Sequence, residues 1–189
     1  MMNEEQIEAV ATRLVEIGQK LPMLLDRLYP EAADRLAAGL NVEPKVGLNV
    51  EPKVGRIRWG GACLLVALAC RKWTGGRLAV LMLEKIGSGR HFFAVGTLPG
   101  VAGETVGVVI DGAGCSVDEW PLPASAGTRF QPVSQKLARL YRHPDARRRL
   151  AFIAWLAGEL EAEFGNGAEV LAPLPILPVD GFELLSAYF

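Results

Sequence analysis

The stretch WGGACLLVALA, residues 59–69, is the most informative part of the sequence. Two glycines precede Cys63, and an apolar run typical of a helix follows it. Glycines permit a tight turn and a close approach of another chain. A helix that begins at Cys63 would direct free N–H groups and partial positive charge at the sulfur, and both favour a thiolate. We therefore expect residues 63–73 to form a helix that carries a nucleophile at its N-terminus.

Two later residues are candidates for the other parts of such a site. His91 begins the strand-like segment HFFAVGT, and Asp111 follows the strand-like segment TVGVVI at 105–110. With a further strand predicted at Leu78–Leu83, the connections are short enough for antiparallel pairing. A base on one strand can then meet a carboxylate on the next. The order predicts Cys63 as nucleophile, His91 as base and Asp111 as the carboxylate that orients it.

Each of these residues also has a structural interpretation. A single cysteine is commonly a small buried hydrophobe, and a histidine at a strand end is commonly a surface residue. Asp111 followed by Gly112 is ordinary turn chemistry. The case for a site depends on all three residue types occurring together in this order.

The other cysteines and the second histidine fit such a site less well. Cys70 lies two turns along the predicted helix and is expected in the core, and Cys115 has no helix start of its own. His143 falls between two predicted C-terminal helices. An odd count of three cysteines argues against a disulfide framework and for a reducing compartment. With no CxxC pair and two histidines, we expect no metal site and no cofactor.

The segments WGGAC at 59–63, HFFAV at 91–95 and VVIDGAG at 108–114 resemble the papain-like superfamily, especially its transglutaminase-like and arylamine N-acetyltransferase-like branches. The resemblance covers residues 59–120, about a third of the chain. It implies an α+β fold in which a nucleophile helix packs on an antiparallel sheet, flanked by N- and C-terminal helices. It also implies acyl chemistry through a thioester: hydrolysis, deamidation or acyl transfer on a peptide, protein or small acyl or amide substrate.

The residues before the cysteine depart from the papain pattern. Papain-type peptidases commonly carry a glutamine there for the oxyanion hole, whereas residues 56–59 are Arg, Ile, Arg and Trp. An oxyanion hole would then need the backbone N–H of Cys63 and another donor, for which the Trp59 indole is the candidate, and Gly61 would allow a substrate to approach closely. A structural role for Trp59, as an aromatic wedge under the sheet, is the alternative.

The chain divides into an N-terminal helical segment with a repeat loop (1–55) and a catalytic core with C-terminal helices and a tail (56–189). Helices are predicted at 4–19, 22–29, 30–38, 134–142 and 145–164. The octapeptide GLNVEPKV occurs at 39–46 and again at 47–54, which is typical of a duplication in a tolerant surface loop. The proline-rich tail from residue 172 is expected to run extended over the surface.

Composition limits the classes of function. A net charge of −1 gives no reason to expect a nucleic-acid or membrane partner, and no apolar run reaches the roughly 18 residues that span a bilayer. The acidic, polar N-terminus does not read as a secretory signal, so we expect a cytoplasmic protein, while delivery as an effector or toxin stays open. The alternative to an enzyme is a papain-like binding module that acts through its helices, repeat loop or tail. Substrate, acceptor and oligomeric state are left open.

Overall fold

The structure is a computed structural model that describes residues 4–37, 62–85, 89–99, 105–112, 114–119, 127–172 and 174–186. Both copies of the repeat, together with Trp59 and Gly61, lie outside the described residues, so what was predicted for them stays a prediction. Within the described part, helices and one antiparallel sheet form a mixed α+β fold, as the sequence predicts.

Six helices occur in the described part of the chain: α1 (Glu4–Ala37), α2 (Cys63–Trp73), α3 (Ser134–Arg142), α4 (Ala146–Phe164), α5 (Gly167–Val170) and α6 (Phe182–Ser186). Helices α2, α3 and α4 match the predicted helices to within one residue. Helix α2 begins at Cys63, which is where the sequence places the nucleophile. The two short helices α5 and α6 were not predicted.

The N-terminal segment differs from its prediction. Instead of three helices there is one continuous helix, α1, which contains both Pro22 and Pro30. A proline inside a helix removes one N–H donor and crowds the carbonyl four residues before it, so both prolines favour breaks locally. The apolar stripe nevertheless continues across both prolines and is buried along its length: Val10, Leu14, Ile17, Leu21, Leu24, Leu25, Leu28 and Ala32. Packing of this stripe outweighs the local preference, and the predicted breaks are wrong.

Among the described residues, five antiparallel strands form the sheet, in the order β4-β3-β2-β1-β5: β1 (Ala79–Lys85), β2 (Gly89–Pro99), β3 (Thr105–Asp111), β4 (Gly114–Glu119) and β5 (Thr128–Gln131). The first three lie close to the predicted strands, and β4 and β5 were not predicted. Strand β2 is central. Its register places His91 opposite Leu83 of β1 and Ala94 opposite Ile110 of β3.

The two faces of the sheet are covered differently, because successive side chains of a strand point to opposite faces. The helices cover one face, and strand side chains buried in their core include Val80, Met82, Phe92, Ala94, Val108 and Ile110. On the other face, Leu177 and Leu185 from the C-terminal segment pack against Ala79, Leu81, Phe93 and Val95. The expectation of a tail on the surface is therefore wrong for these leucines, which complete a second core.

Polar side chains fasten the C-terminal segment to the rest of the fold. Asp180 is buried and accepts hydrogen bonds from the backbone N–H groups of Val133 and Ser134, both at 2.9 Å, and of Phe182 at 3.1 Å. It thereby caps helix α3, whose own N-cap side chain makes no capping bond. Arg71 of α2 donates to four backbone carbonyls of the same region: Gly76, Leu78, Leu177 and Pro178.

Candidate active site

The N-terminus of α2 places backbone amides that have no intrahelical acceptor beside a half-buried thiol. The carbonyl of Ala62 accepts from the N–H groups of Leu65 and Val66, which is the first intrahelical bonding of the helix. The amides of Cys63 and Leu64 come before this point and have no helical acceptor. The Leu64 N–H contacts the Cys63 sulfur instead. The N-cap side chain, a methyl group, makes no capping bond, so it does not compete for these donors.

Strand β2 supplies a second backbone donor to the sulfur. The β2–β3 ladder ends at the pair Ala94 and Ile110, so β2 runs past the end of β3 toward His91. Phe92 lies beyond this last pair, and its backbone N–H contacts the Cys63 sulfur. Because β3 stops pairing at Ile110, the start of α2 can contact β2 directly at Phe92.

His91 links the thiol to a carboxylate. Its Nε2 lies 2.8 Å from Oδ2 of Asp111, at the end of β3. Its side chain is also hydrogen-bonded to Cys63. Because Nε2 faces Asp111, we infer that Nδ1 is the ring nitrogen that shares a proton with the thiol. The structure thus brings together the three residues that the sequence singles out.

The imidazole is held by packing on one side and open to solvent on another. The rings of His91 and Phe93 stack, with centroids 5.9 Å apart and planes inclined by 29°. Half of the His91 side-chain surface is exposed (50%), against 24% for Asp111. A reacting group from solvent can therefore approach the imidazole, while the ring plane is fixed by Phe93 and the carboxylate.

The pKa values of Cys63 and His91 move in opposite directions. Burial opposes ionisation of Cys63, but hydrogen bonds from His91 and from the Phe92 amide outweigh it, so the thiol pKa is lowered. Hydrogen bonds with Asp111 and then with Cys63 raise the pKa of His91 to about 9. Both shifts favour the pair of thiolate and imidazolium, which is the reactive form of a thiol nucleophile.

The other two cysteines have no such environment. Cys70 is fully buried in the core, as predicted, and burial raises its pKa to about 12. Cys115 lies on β4 opposite Ile110, and burial followed by the charge of Asp111 raises its pKa to about 12 as well. Among the three thiols, therefore, Cys63 is the one whose pKa is lowered.

The second histidine lies outside this arrangement. His143 follows α3, and its Nδ1 accepts a hydrogen bond of 3.1 Å from the backbone N–H of Asp145. The described residues include no cluster of three or more His, Cys, Asp or Glu side chains that could hold a metal ion.

Two contributors to the site were missed in the sequence. The Phe92 amide gives no side-chain signal, and its role depends on where the β2–β3 ladder ends. Phe93 is visible as the second aromatic of HFFAV, and its spacing of two from His91 would have placed both rings on one face of a strand. The predicted oxyanion residues Trp59 and Gly61 lie outside the described residues.

No protein-family model, curated protein or solved structure matches the chain. The papain-like resemblance consequently stays a prediction based on its short motifs. In the described part of the chain, no helix combines the length and the apolar character needed to cross a membrane.

Proposed function

We propose that this protein is a cysteine-dependent acyl hydrolase or acyltransferase with a papain-like core, in which Cys63 is the nucleophile. The observation that carries the proposal is the continuous hydrogen-bonded relay from Cys63 through His91 to Asp111. Carboxylate, imidazole and thiol occur in the order that nucleophilic acyl chemistry requires. A purely structural cysteine needs neither a base nor an orienting carboxylate.

The geometry supports a two-step reaction. The Cys63 thiolate attacks the carbonyl carbon of an amide or ester, and a C–S bond forms as the carbonyl π pair moves to oxygen. The tetrahedral intermediate collapses to a thioester, the bond to the leaving group breaks, and the His91 imidazolium gives that group its proton. Water or an amine, deprotonated by the neutral His91, then attacks the thioester and releases the thiolate. Asp111 stabilises the imidazolium and fixes the ring throughout.

The start of α2 supports stabilisation of the oxyanion. Amides of the first turn have no intrahelical acceptor and carry the positive end of the helix dipole. The Cys63 amide belongs to this turn, and donors so placed typically stabilise a developing oxyanion in acyl transfer.

The experiment that tests the proposal is intact-mass analysis after incubation with an activated ester such as 4-nitrophenyl acetate. We expect one acetyl group per molecule, located on Cys63 by peptide mapping. Hydroxylamine should remove this group, as it does from a thioester. Acylation should disappear in Cys63→Ala and slow by about 10²–10⁴-fold in His91→Ala, because the base is lost. Adding a primary amine during turnover then separates transfer from hydrolysis.

Cys115→Ser is the matched control, since it removes a half-buried thiol whose pKa is raised. We expect this variant to be acylated like the wild type. An adduct that persists in Cys63→Ala, or wild-type protein that forms none with any activated ester or amide tested, would contradict the proposed function and favour a binding module.

A further inference from the structure

The pairing of β1 with the C-terminal segment shows which backbone groups of β2 point toward β3. In an antiparallel sheet the N–H and C=O of one residue point to the same edge of its strand, and successive residues alternate between the two edges. The N–H of Val80 on β1 donates to the carbonyl of Val179 at 2.8 Å, and its carbonyl accepts from the N–H of Gly181 at 2.7 Å, so both groups point away from β2. Its ladder partner on β2, Ala94, therefore directs its own N–H and C=O toward β3.

Three alternate residues of β2 present their backbone groups on this edge, and each has a different surrounding. Ala94 is the last residue of β2 that pairs with β3, opposite Ile110. Phe92, two residues before it, directs its N–H to the Cys63 sulfur. Arg90, two residues before Phe92, has its N–H and C=O on the same edge, and in the described part of the chain no strand pairs with them there. The edge of β2 that pairs with β3 therefore continues past the nucleophile.

The side chain of Arg90 is held away from this edge. Its Nε donates to Oε1 of Glu84 on β1 at 3.0 Å, and a terminal nitrogen lies 2.9 Å from the same oxygen. Arg129 of β5 occupies the other oxygen of Glu84, through Nε at 3.0 Å and a terminal nitrogen at 2.8 Å. These ion pairs draw the Arg90 guanidinium over β1, on the side of β2 opposite to β3. Arg90 and its neighbour His91 are both exposed, so solvent reaches this end of β2.

The spacing along this edge matches that of an extended polypeptide. A strand rises about 3.3 Å per residue, so the backbone groups of Arg90 lie about 7 Å along the edge from those of Phe92, whose N–H contacts the sulfur. A neighbouring strand has the same repeat and lies about 4.8 Å to the side. A polypeptide along this edge would therefore have one residue paired with Arg90 and, two residues further along, a carbonyl group level with Cys63.

We propose that the acyl donor is an extended polypeptide segment that pairs, as an added strand, with the edge of β2 at Arg90. The inference rests on the proposed function, because it assigns a substrate class and a binding position to that site. The donor's main chain exchanges N–H···O=C hydrogen bonds with Arg90, about two residues from the carbonyl that Cys63 attacks. Since such bonds do not involve side chains, they select extended chains over compact small molecules rather than one sequence over another.

The test compares chloro reagents with and without a peptide, each of which forms a C–S bond with the thiolate and releases chloride. Acetyl-tetra-alanine chloromethyl ketone extends on the acyl side of its carbonyl, and chloroacetone is its short reference. Chloroacetyl-tetra-alanine amide extends on the leaving-group side, and chloroacetamide is its short reference. The ratio of peptide to reference rate constants cancels the fraction of thiolate, and division by the ratio for glutathione removes intrinsic reactivity. We expect one corrected ratio to reach about tenfold or more, with the label mapped to Cys63.

N-methylation of one alanine of the reagent at a time tests strand pairing on the unaltered protein. Only alternate N–H groups of an extended chain face the neighbouring strand, so loss and retention of rate should alternate along the reagent. Methylation of the alanine that pairs with Arg90 should slow labelling about two- to tenfold, and methylation of its immediate neighbours should leave the rate unchanged. A uniform response along the chain would overturn the inference, because it would indicate contacts other than strand pairing.

A matched pair of variants tests the same bond from the protein side. Arg90→Pro and Arg90→Ala both remove the ion pairs with Glu84, but only proline lacks the backbone N–H. Because this N–H points away from β1, its loss removes no hydrogen bond of the β1–β2 ladder. We expect the corrected peptide ratio to be about two- to tenfold lower in Arg90→Pro than in Arg90→Ala. Equal ratios in two folded variants would contradict pairing at Arg90, and the N-methyl series decides the matter if the proline variant does not fold.

The outcomes separate this proposal from the proposed function. If Cys63 reacts rapidly with chloroacetone and chloroacetamide but neither corrected ratio exceeds one, the polypeptide proposal is overturned and the proposed function survives. If Cys63 reacts with none of the four reagents at neutral pH, both proposals fall. A raised ratio for the chloromethyl ketone supports the inference and places the paired segment on the acyl side. A raised ratio for the chloroacetyl peptide also supports it and places the segment on the leaving-group side.

Discussion

Burial and hydrogen bonding act on the Cys63 thiol in opposite directions. Burial favours the neutral thiol, whereas His91 and the amides of Phe92 and Leu64 favour the thiolate, and their sum lowers the pKa. Cys70 shows the effect of burial without these partners, since its pKa rises to about 12. Two cysteines on one helix thus differ in chemistry because of what contacts each sulfur.

The variant Asp111→Asn should lower the pKa of His91 from about 9 toward its ordinary value of 6.5, because Asp111 is the largest cause of the upward shift. NMR titration of the imidazole signals measures this directly. The chain has two histidines, and the signal of His143, which follows α3 and accepts from the Asp145 amide, serves as the internal reference. A His91 pKa unchanged by the substitution would contradict the role given to the carboxylate.

The same shift couples His91 to stability. Its pKa is higher in the folded protein than its ordinary value of 6.5, so its protonated form stabilises the fold fully below about pH 6.5. That contribution is lost as pH rises through about 9. The half-exposed ring makes the contribution a modest part of the total.

At the scale of elements, helix α1 holds the β3–β4 turn through two glycines. A Cβ on Gly18 would lie 2.9 Å from the carbonyl oxygen of Cys115, and one on Gly114 would lie 2.8 Å from the carbonyl oxygen of Gly18. Pro22 cannot donate to that Gly18 carbonyl, which leaves the helix locally open where β4 approaches. Gly114 pairs with Asp111, so this contact also supports the carboxylate of the site.

Gly18→Ala should destabilise the fold by about 1–3 kcal/mol, since the added methyl group meets backbone atoms that cannot move alone. The shift of β4 should also reduce the rate of Cys63 alkylation. Gly158→Ala on α4 is the matched control: nothing lies within 4 Å of its Cβ, and it should be neutral or stabilise by about 0.5–1 kcal/mol. Urea denaturation measures both, and equal effects would contradict the close contact.

The elements show where sequence patterns are sufficient. Helix α2 and strands β1 to β3 are apolar runs bounded by glycines, so pattern and boundary agree. Strands β4 and β5, GCSVDE and TRFQ, are short and largely polar, and they form strands because a neighbour pairs with them. Helix α1 is the reverse case, since Pro22 and Pro30 predict breaks that packing overrides. Local signals fail where a distant partner supplies the free energy.

At the scale of the whole molecule, the sheet is a layer between the helices and the C-terminal segment. His91 stacks on Phe93, and Phe93 is buried in the second core with Leu177 and Leu185. The C-terminal segment thus supports the His91 ring through Phe93. Asp180 anchors it, since one buried carboxylate accepts three backbone N–H groups from the start of α3 and from α6.

Asp180→Ala should destabilise the protein by about 3 kcal/mol, because the buried amide of Val133 and the part-buried amide of Ser134 lose a charged acceptor. Thermal unfolding of the full-length variant measures this decrease in the free energy of unfolding. Asp26→Ala, at an exposed position of α1, is the control and should change stability by less than about 0.5 kcal/mol. If Asp180→Ala were as mild as the control, the segment would not depend on this anchor.

The site itself was predictable in part. A helix followed directly by antiparallel strands brings Cys63, His91 and Asp111 toward one end of the fold. Their order along the chain was therefore enough to predict that the three side chains meet. The contact of the Phe92 amide with the sulfur, and the meeting of Arg90, Arg129 and Glu84, depend on strand register. Register follows from packing and loop geometry, which no short motif encodes.

The measurement that tests the central claim most directly is the pH dependence of Cys63 alkylation by iodoacetamide in wild type and His91→Ala. A thiolate paired with His91 predicts rapid labelling already below about pH 7 in the wild type. In His91→Ala, labelling should become fast only near the ordinary thiol pKa of about 8.5. An ordinary thiol profile in the wild type, unchanged by removal of His91, would contradict the account.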